Sequence, residues 1–187
     1  MLGKGGFGTV WEIKGFPIVA DVREDDSENG RSFLANHARR DNGDCRYAIK
    51  QLSPEVVADD GRYIQGLLDL ALESRFLSDL EHPNICKLRG MGATLDETFF
   101  LILDRLYDTL EHRIHQWERR DLNGIAKRLR DPKGVKADAL YEERLVAAFD
   151  LAAALQYLHE RNILYRDLKP ENIGFDIVRI PPRGSGC

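Results

Sequence analysis

Cysteine is scarce in this chain of 187 residues: Cys45, Cys86 and Cys187 are the three present, and they lie far apart. Their spacing matches neither a set of zinc ligands nor the framework of a disulfide-rich domain. Isolated cysteines are typical of reduced, intracellular proteins. The sequence therefore predicts a cytoplasmic or nuclear location.

Long hydrophobic runs and an excess of positive charge are also missing. No apolar segment reaches the length that spans a bilayer, and we expect no signal peptide ahead of the first glycines. The 27 Lys and Arg residues are scattered among 31 Asp and Glu residues, which gives a formal net charge of -4. Because such a chain is not drawn to polyanions, we expect partners other than nucleic acid or membrane.

The composition that remains is that of a folded protein. Hydrophobic residues make up 43% of the chain and charged residues 31%. A chain of this length and composition can bury one sizeable core or the cores of two small lobes.

A glycine-rich stretch, LGKGGFGTVWEI, opens the sequence. Gly3, Gly5 and Gly8 follow the order G-x-G-x-x-G, with Val10 two residues later. Such a loop lets backbone N–H groups approach an anion. A Rossmann loop would lead into a helix, whereas TVWEI predicts a strand, and a Walker loop would place lysine where Thr9 stands. The arrangement that remains is a strand, a phosphate-binding loop and another strand. The open alternative is a glycine-rich hairpin that binds no ligand.

A third strand is predicted at RYAIKQL, residues 46–52, with Ala48 and Lys50 on one face. A helix is predicted from Tyr63 to Glu81, where apolar residues recur at helical spacing at Leu68, Leu72, Phe76, Leu77 and Leu80. Glu73 is predicted to lie on that apolar side. Since a buried carboxylate needs a partner, we expect it to pair with Lys50.

The segment NILYRDLKPENIGFD resembles the catalytic loop of eukaryotic protein kinases. Together with LGKGGFGTV, YAIK and LESRFLSDLEHPNI, which occur in the family's order, it makes the chain similar to a protein kinase domain. The lysine two residues after the aspartate in RDLKPEN resembles the serine/threonine branch of the family.

The resemblance implies ATP-dependent phosphorylation of serine or threonine hydroxyls on protein substrates, with ATP and Mg²⁺ as cofactors. Asp167 would orient the substrate hydroxyl and accept its proton. Lys169 would neutralise charge on the γ-phosphate, and Asn172 would supply an oxygen ligand to Mg²⁺. Lys50 would hold the α- and β-phosphates, and Glu73 would hold Lys50 in place.

The segment FFLILDRLYDTL resembles the fifth strand and hinge of a kinase. On that basis Leu103 lies at the back of the nucleotide pocket, and backbone groups of Asp104 and Leu106 face adenine. The apolar roof would consist of Leu2, Val10 and Ala48. Gly174 stands where the family usually places a large apolar side chain beneath adenine.

The fold class implied is α+β: a small lobe with an antiparallel sheet and one packed helix, followed by the first helices of an incomplete second lobe. The small lobe would span 1–103 with an inserted loop at about 15–44. The hinge and the start of the large lobe would span 104–176, and a divergent tail 177–187.

Two helices are expected in the second lobe, separated by a charged insertion from about Arg119 to Lys136. The longer one should run from Ala139 to Glu160 and be covered on most sides, including at Leu145 and Phe149.

The family's Asp-Phe-Gly motif would follow roughly a dozen residues past Asn172, and it does not occur there. We therefore expect a domain truncated at both ends, which transfers phosphate poorly or not at all. The alternative is a non-catalytic nucleotide-binding or regulatory module.

Overall fold

A computed structural model describes residues 1–14, 45–94, 98–121, 131 and 134–176. The predicted loop at 15–44, the predicted tail at 177–187 and most of the charged insertion lie outside the described residues. The described residues form two compact units. The first unit comprises the described residues from Met1 to Glu81 together with Ile85–Arg105. The second unit comprises His82–Asn84 and the described residues from Leu106 onward.

The first unit is built on a five-stranded antiparallel sheet of order β1-β2-β3-β5-β4. Its strands are β1 (Gly3–Lys4), β2 (Gly8–Glu12), β3 (Tyr47–Leu52), β4 (Leu88–Ala93) and β5 (Phe99–Asp104). The β-branched and aromatic residues of TVWEI and FFLILD suit this pleated surface. The antiparallel sheet, and with it the α+β class, is as predicted.

Two helices accompany the sheet, where the sequence predicted one. The short α1 spans Pro54–Val57 and α2 spans Asp60–Asp79. The Asp59 carboxylate caps α2 by accepting a hydrogen bond from the Arg62 backbone N–H at 3.1 Å. This cap makes α2 begin three residues before the predicted start.

The predicted apolar stripe of α2 is buried only in part, because Leu77 and Leu80 are partly buried and the other three residues are not. Three of its residues are more than half exposed, namely Leu68, Leu72 and Phe76. The buried residues are instead Gly66, Leu70 and Ser74. A Cβ added to Gly66 would lie 2.9 Å from Leu52 Cδ2, so the small residues at 66 and 74 decide which face approaches the sheet.

The core of the first unit lies between α2 and strand β5. Leu70, Leu101 and Leu103 form its centre. Partly buried side chains pack around them, namely Leu77, Cys86, Leu88 and Phe99. Leu101 is fully buried, which fits the central place of β5 between two neighbouring strands.

The second unit is mainly helical. Its elements are β6 (Asp108–Thr109), α3 (Leu110–Arg120), α4 (Val135–His159), a 3-10 turn (Pro170–Asn172) and β7 (Gly174–Phe175). Strands β6 and β7 pair antiparallel. Helix α4 begins four residues before the predicted start.

The prediction that α4 is covered on most sides is also wrong in part. Leu140, Ala154 and Leu158 are buried, but Leu145 is 54% exposed and Phe149 72% exposed. The helix carries apolar residues around most of its circumference, so its pattern alone does not select the face that packs. No helix in the described part of the chain is both long and apolar enough to cross a membrane.

Candidate active site

The glycine-rich stretch forms the predicted strand, loop and strand. β1 and β2 pair with Gly3 opposite Val10, and the Gly5 N–H donates to the Gly8 carbonyl oxygen at 2.8 Å. A Cβ on Gly8 would lie 2.8 Å from the Gln51 carbonyl oxygen. Only glycine permits this approach of β2 to β3. That the loop holds phosphate stays a prediction.

Lys50 on β3 and Glu73 on α2 form the predicted ion pair. Lys50 Nζ donates to Glu73 Oε2 at 2.5 Å, and the two side chains are 29% and 33% exposed. Strand β2 places Val10 beside Lys50, and Ala48 is buried two residues before it on the same strand face. Leu2 lies next to Val10, because its N–H donates to the Val10 carbonyl oxygen at 2.7 Å.

Asp167, Lys169 and Asn172 come together in the second unit. Lys169 Nζ lies 3.0 Å from Asp167 Oδ2. The Asn172 side-chain amide donates to the same oxygen at 2.7 Å and to the Asp167 carbonyl oxygen at 2.9 Å. The hydrogen bond from Lys169, and then that from Asn172, lower the pKa of Asp167. The same Asp167 contact raises the pKa of Lys169.

The local backbone fixes this cluster at both ends. Asn162 adopts a positive φ of 58° just after α4, and the Ile163 N–H donates back to the Leu158 carbonyl oxygen at 3.0 Å. Pro170 starts the 3-10 turn that carries Asn172. The Ile173 carbonyl oxygen then accepts from the Leu110 N–H at 2.8 Å. The segment is thereby bonded to the first turn of α3.

The end of β5 carries Leu103, predicted to lie at the back of the nucleotide pocket, and Asp104, whose backbone is predicted to face adenine. Leu103 is 9% exposed and Asp104 follows it. Arg89 on β4 donates to both Asp104 carboxylate oxygens, at 2.8 and 2.9 Å, which raises the pKa of Arg89. Arg105 Nη1 lies 2.6 Å from Glu12 Oε1 on β2.

Sequence reasoning missed Arg89 and Glu12 as partners of this strand end. No motif marks either one, and the register between β4 and β5 shifts between Leu88 and Gly90. Alternation along the strands therefore does not show that Arg89 faces Asp104. Sequence reasoning also missed the contact between the Leu106 side chain and Gly174.

Metal binding was predicted at Asn172. The amide oxygen of Asn172 and the carboxylate of the adjoining Asp167 are of the kind that hard divalent cations prefer. In the part of the chain that the structure describes, no three His, Cys, Asp or Glu side chains group closely enough to hold a metal ion. The assignment of Asn172 stays a prediction.

Comparison with known proteins identifies the family. Residues 29–179 match the family model of the protein kinase domain. The chain is 28% identical over 178 residues to the probable serine/threonine-protein kinase PBL17 of Arabidopsis thaliana, covering 94% of this chain and 30% of that protein. It is 31% identical over 140 residues to the probable serine/threonine-protein kinase kinY of Dictyostelium discoideum, covering 75% and 23%.

A third relative is the Aurora/IPL1-related protein kinase 2 of Caenorhabditis elegans, 29% identical over 136 residues, which cover 73% of this chain and 37% of that protein. The chain thus belongs to the protein kinase family. It spans between 23% and 37% of the length of these three relatives. The glycine-rich loop precedes the residues matched by the family model.

Proposed function

We propose that this chain transfers the γ-phosphate of ATP to serine or threonine hydroxyls of protein substrates, with Mg²⁺ as the metal. Membership of the protein kinase family supports phosphate transfer to proteins. The observation that carries the proposal is the cluster of Asp167, Lys169 and Asn172, in which a carboxylate, a cation and an amide lie within hydrogen-bonding distance.

Asp167 orients the substrate hydroxyl in this proposal. Its lowered pKa keeps the carboxylate ionised at neutral pH, so it can accept a hydrogen bond from the hydroxyl and take up the proton as transfer proceeds. Phosphoryl transfer depends mainly on positioning and on stabilising charge. The bonds from Asn172 to the carboxylate and backbone of Asp167 serve the positioning.

Lys169 neutralises charge on the phosphoryl group as it moves. Its raised pKa keeps the ammonium protonated. Its side chain is 49% exposed and pairs with the exposed Asp167, a weak contact in water, so the ammonium can turn from the carboxylate toward a phosphate. Mg²⁺, held through Asn172, would supply further charge stabilisation.

The first unit would bind the nucleotide. The Lys50 ammonium, held by Glu73, is a fixed cation for the α- and β-phosphates, and the glycine loop supplies backbone N–H groups. In this unit the backbone of Asp104 would bind adenine, and Leu2, Val10 and Ala48 would supply apolar contacts to the base. Leu106, the first residue of the second unit, is also predicted to bind adenine through its backbone. The ion pair from Arg89 restrains the Asp104 side chain at this strand end.

Substrate class and location form part of the proposal. Lys169 in RDLKPEN supports serine or threonine as the acceptor, as do the relatives described as serine/threonine kinases.

A cytoplasmic or nuclear location is supported by the widely spaced cysteines. One of them, Cys86, is partly buried, and the loss of hydration raises the pKa of its thiol to about 11.

Slow transfer is proposed for these 187 residues by themselves. The sequence contains Asn172 but no Asp-Phe-Gly motif after it, so a carboxylate that would bind metal in this family has no counterpart there. The competing proposal, a non-catalytic nucleotide-binding or regulatory module, shares the same first-unit residues. Transfer of phosphate separates the two.

The test is incubation of the chain with Mg²⁺, γ-labelled ATP and a protein containing serine, threonine and tyrosine, followed by phosphoamino-acid analysis. We expect slow labelling of serine or threonine. Asp167→Asn, which keeps the shape of the side chain, should reduce it on the order of a hundredfold. Label on tyrosine contradicts the proposed substrate class. Labelling that Asp167→Asn leaves unchanged contradicts the proposed catalysis, and ATP binding without labelling favours the non-catalytic module.

A further inference from the structure

The side chain of Leu106 occupies the space above Gly174. A Cβ built on Gly174 would overlap Leu106 Cδ1 and lie 2.9 Å from Leu106 Cβ and 3.0 Å from its Cγ. Rotation about the leucine side-chain bonds could move Cδ1 and Cγ away, but Cβ is fixed to the backbone. Glycine is therefore the one residue that fits at position 174 with the backbone as it stands.

Backbone hydrogen bonds hold the two residues in this arrangement. Gly174 lies opposite Thr109 in the pairing of β6 with β7. The Tyr107 N–H, next to Leu106, donates to the Phe175 carbonyl oxygen at 2.8 Å. The segments carrying Leu106 and Gly174 are thus bonded to each other, and their approach does not depend on the leucine rotamer.

Part of Leu106 remains accessible to solvent. The residue is 37% exposed, although one side of its side chain covers Gly174. An exposed leucine whose own backbone is proposed to bind adenine offers an apolar surface to that base. A flat purine face gains from such a contact because apolar surface leaves water.

We propose that the Leu106 side chain, lying over Gly174, supplies the apolar surface beneath the nucleobase, so that Leu106 and not residue 174 determines affinity for the base. The proposal rests on the proposed binding of ATP and goes beyond it by assigning base recognition to a side chain. Leu106 then contacts the base in two ways: its backbone binds the base, and its side chain packs against the face of the base.

The test compares two ligands, ATP and tripolyphosphate, which carries phosphates without a base. Binding of each is measured by isothermal titration calorimetry with the wild-type chain, Leu106→Ala, the conservative variant Leu106→Met, and Gly174→Ala. Circular dichroism checks that each variant is folded. Leu106→Ala should weaken ATP binding about tenfold or more, the usual loss for an apolar contact in such a pocket, and leave tripolyphosphate binding unchanged. Leu106→Met, which keeps an apolar side chain of similar volume over Gly174, should bind ATP nearly as well as wild type.

Several outcomes overturn the proposal: a folded Leu106→Ala that binds ATP like wild type, equal losses for both ligands, or a folded Leu106→Met that binds ATP no better than Leu106→Ala. If Leu106→Ala does not fold, Gly174→Ala decides, because its Cβ displaces Leu106. Lower ATP affinity with tripolyphosphate unchanged supports the proposal, and unchanged ATP affinity overturns it. Should tripolyphosphate not bind measurably, the ATP titrations decide alone. A wild-type chain that binds neither ligand refutes the proposed function itself, and this proposal with it.

Discussion

Asn172 donates two hydrogen bonds to Asp167 from one amide nitrogen, at 2.7 Å to the carboxylate Oδ2 and at 2.9 Å to the backbone carbonyl oxygen. The side chain and the backbone of Asp167 are thus held by the same group. Lys169 approaches the same carboxylate oxygen at 3.0 Å. Both partners favour the ionised form of Asp167.

The pKa of Asp167 should respond more to Lys169 than to Asn172, because the Lys169 hydrogen bond is the larger cause of its lowered pKa. Lys169→Met should raise the Asp167 pKa toward its ordinary value, and Asn172→Ala should raise it less. Carboxyl-carbon NMR titration of each variant measures both shifts. The reverse order would contradict this assignment of the electrostatics.

The pH dependence that follows has a definite sign. A carboxylate with a lowered pKa in the folded state stabilises that state above its ordinary pKa, and the contribution disappears as the pH falls through the folded-state value. The Asp167 contacts should therefore be intact at neutral pH and be lost only at acidic pH. Because the group is exposed, we expect a local change and not global unfolding.

Glu55 on α1 should titrate far below other glutamates. The pKa of Glu55 is lowered to about 2, and the largest cause is the hydrogen bond that its carboxylate accepts from Lys4 of β1. Lys4→Met should raise this pKa toward the usual value of 4.5, which NMR titration measures directly. A Glu55 that titrates normally in the wild-type chain would show that the contact between β1 and α1 does not form in solution.

Gly66 should tolerate no large side chain, because α2 lies against the sheet at this point. Gly66→Leu should lower the free energy of unfolding by about 1–3 kcal/mol, the usual range for overpacking. Gly61→Leu on the same helix is the control, since Gly61 is exposed and leucine favours helix there by roughly 0.8 kcal/mol. Urea denaturation measures both. Equal effects of the two substitutions would contradict the observed packing face.

The sequence predicted best those features that depend on local chemistry. The ion pair of Lys50 with Glu73 could be expected, because a carboxylate on a helix with apolar neighbours needs a cation and one was available on a neighbouring strand. The hairpin followed from glycines ahead of a β-branched run. The hairpin depends on residues close together in the chain, and the ion pair depends on the opposite charges of two residues 23 positions apart.

Features set by packing could not be predicted in the same way. Helix α2 is apolar at Leu68, Leu72 and Phe76, yet it packs through Gly66 and Ser74, whose small size matters only against the sheet. The contact of Leu106 with Gly174 joins residues 68 positions apart. Neither feature leaves a period or a motif in the sequence.

Binding of ATP through the Lys50–Glu73 pair is tested most directly by calorimetric titration of ATP with Mg²⁺ into three forms of the chain: wild type, Lys50→Met and Lys87→Met. Lys87 is the matched control, because it pairs with Glu81 at 3.1 Å on the surface of the same unit. We expect Lys50→Met to weaken binding about tenfold or more, as for loss of a charged hydrogen bond. Lys87→Met should bind like wild type. Equal affinity of Lys50→Met and wild type, or no binding by the folded wild-type chain, would contradict this role of Lys50.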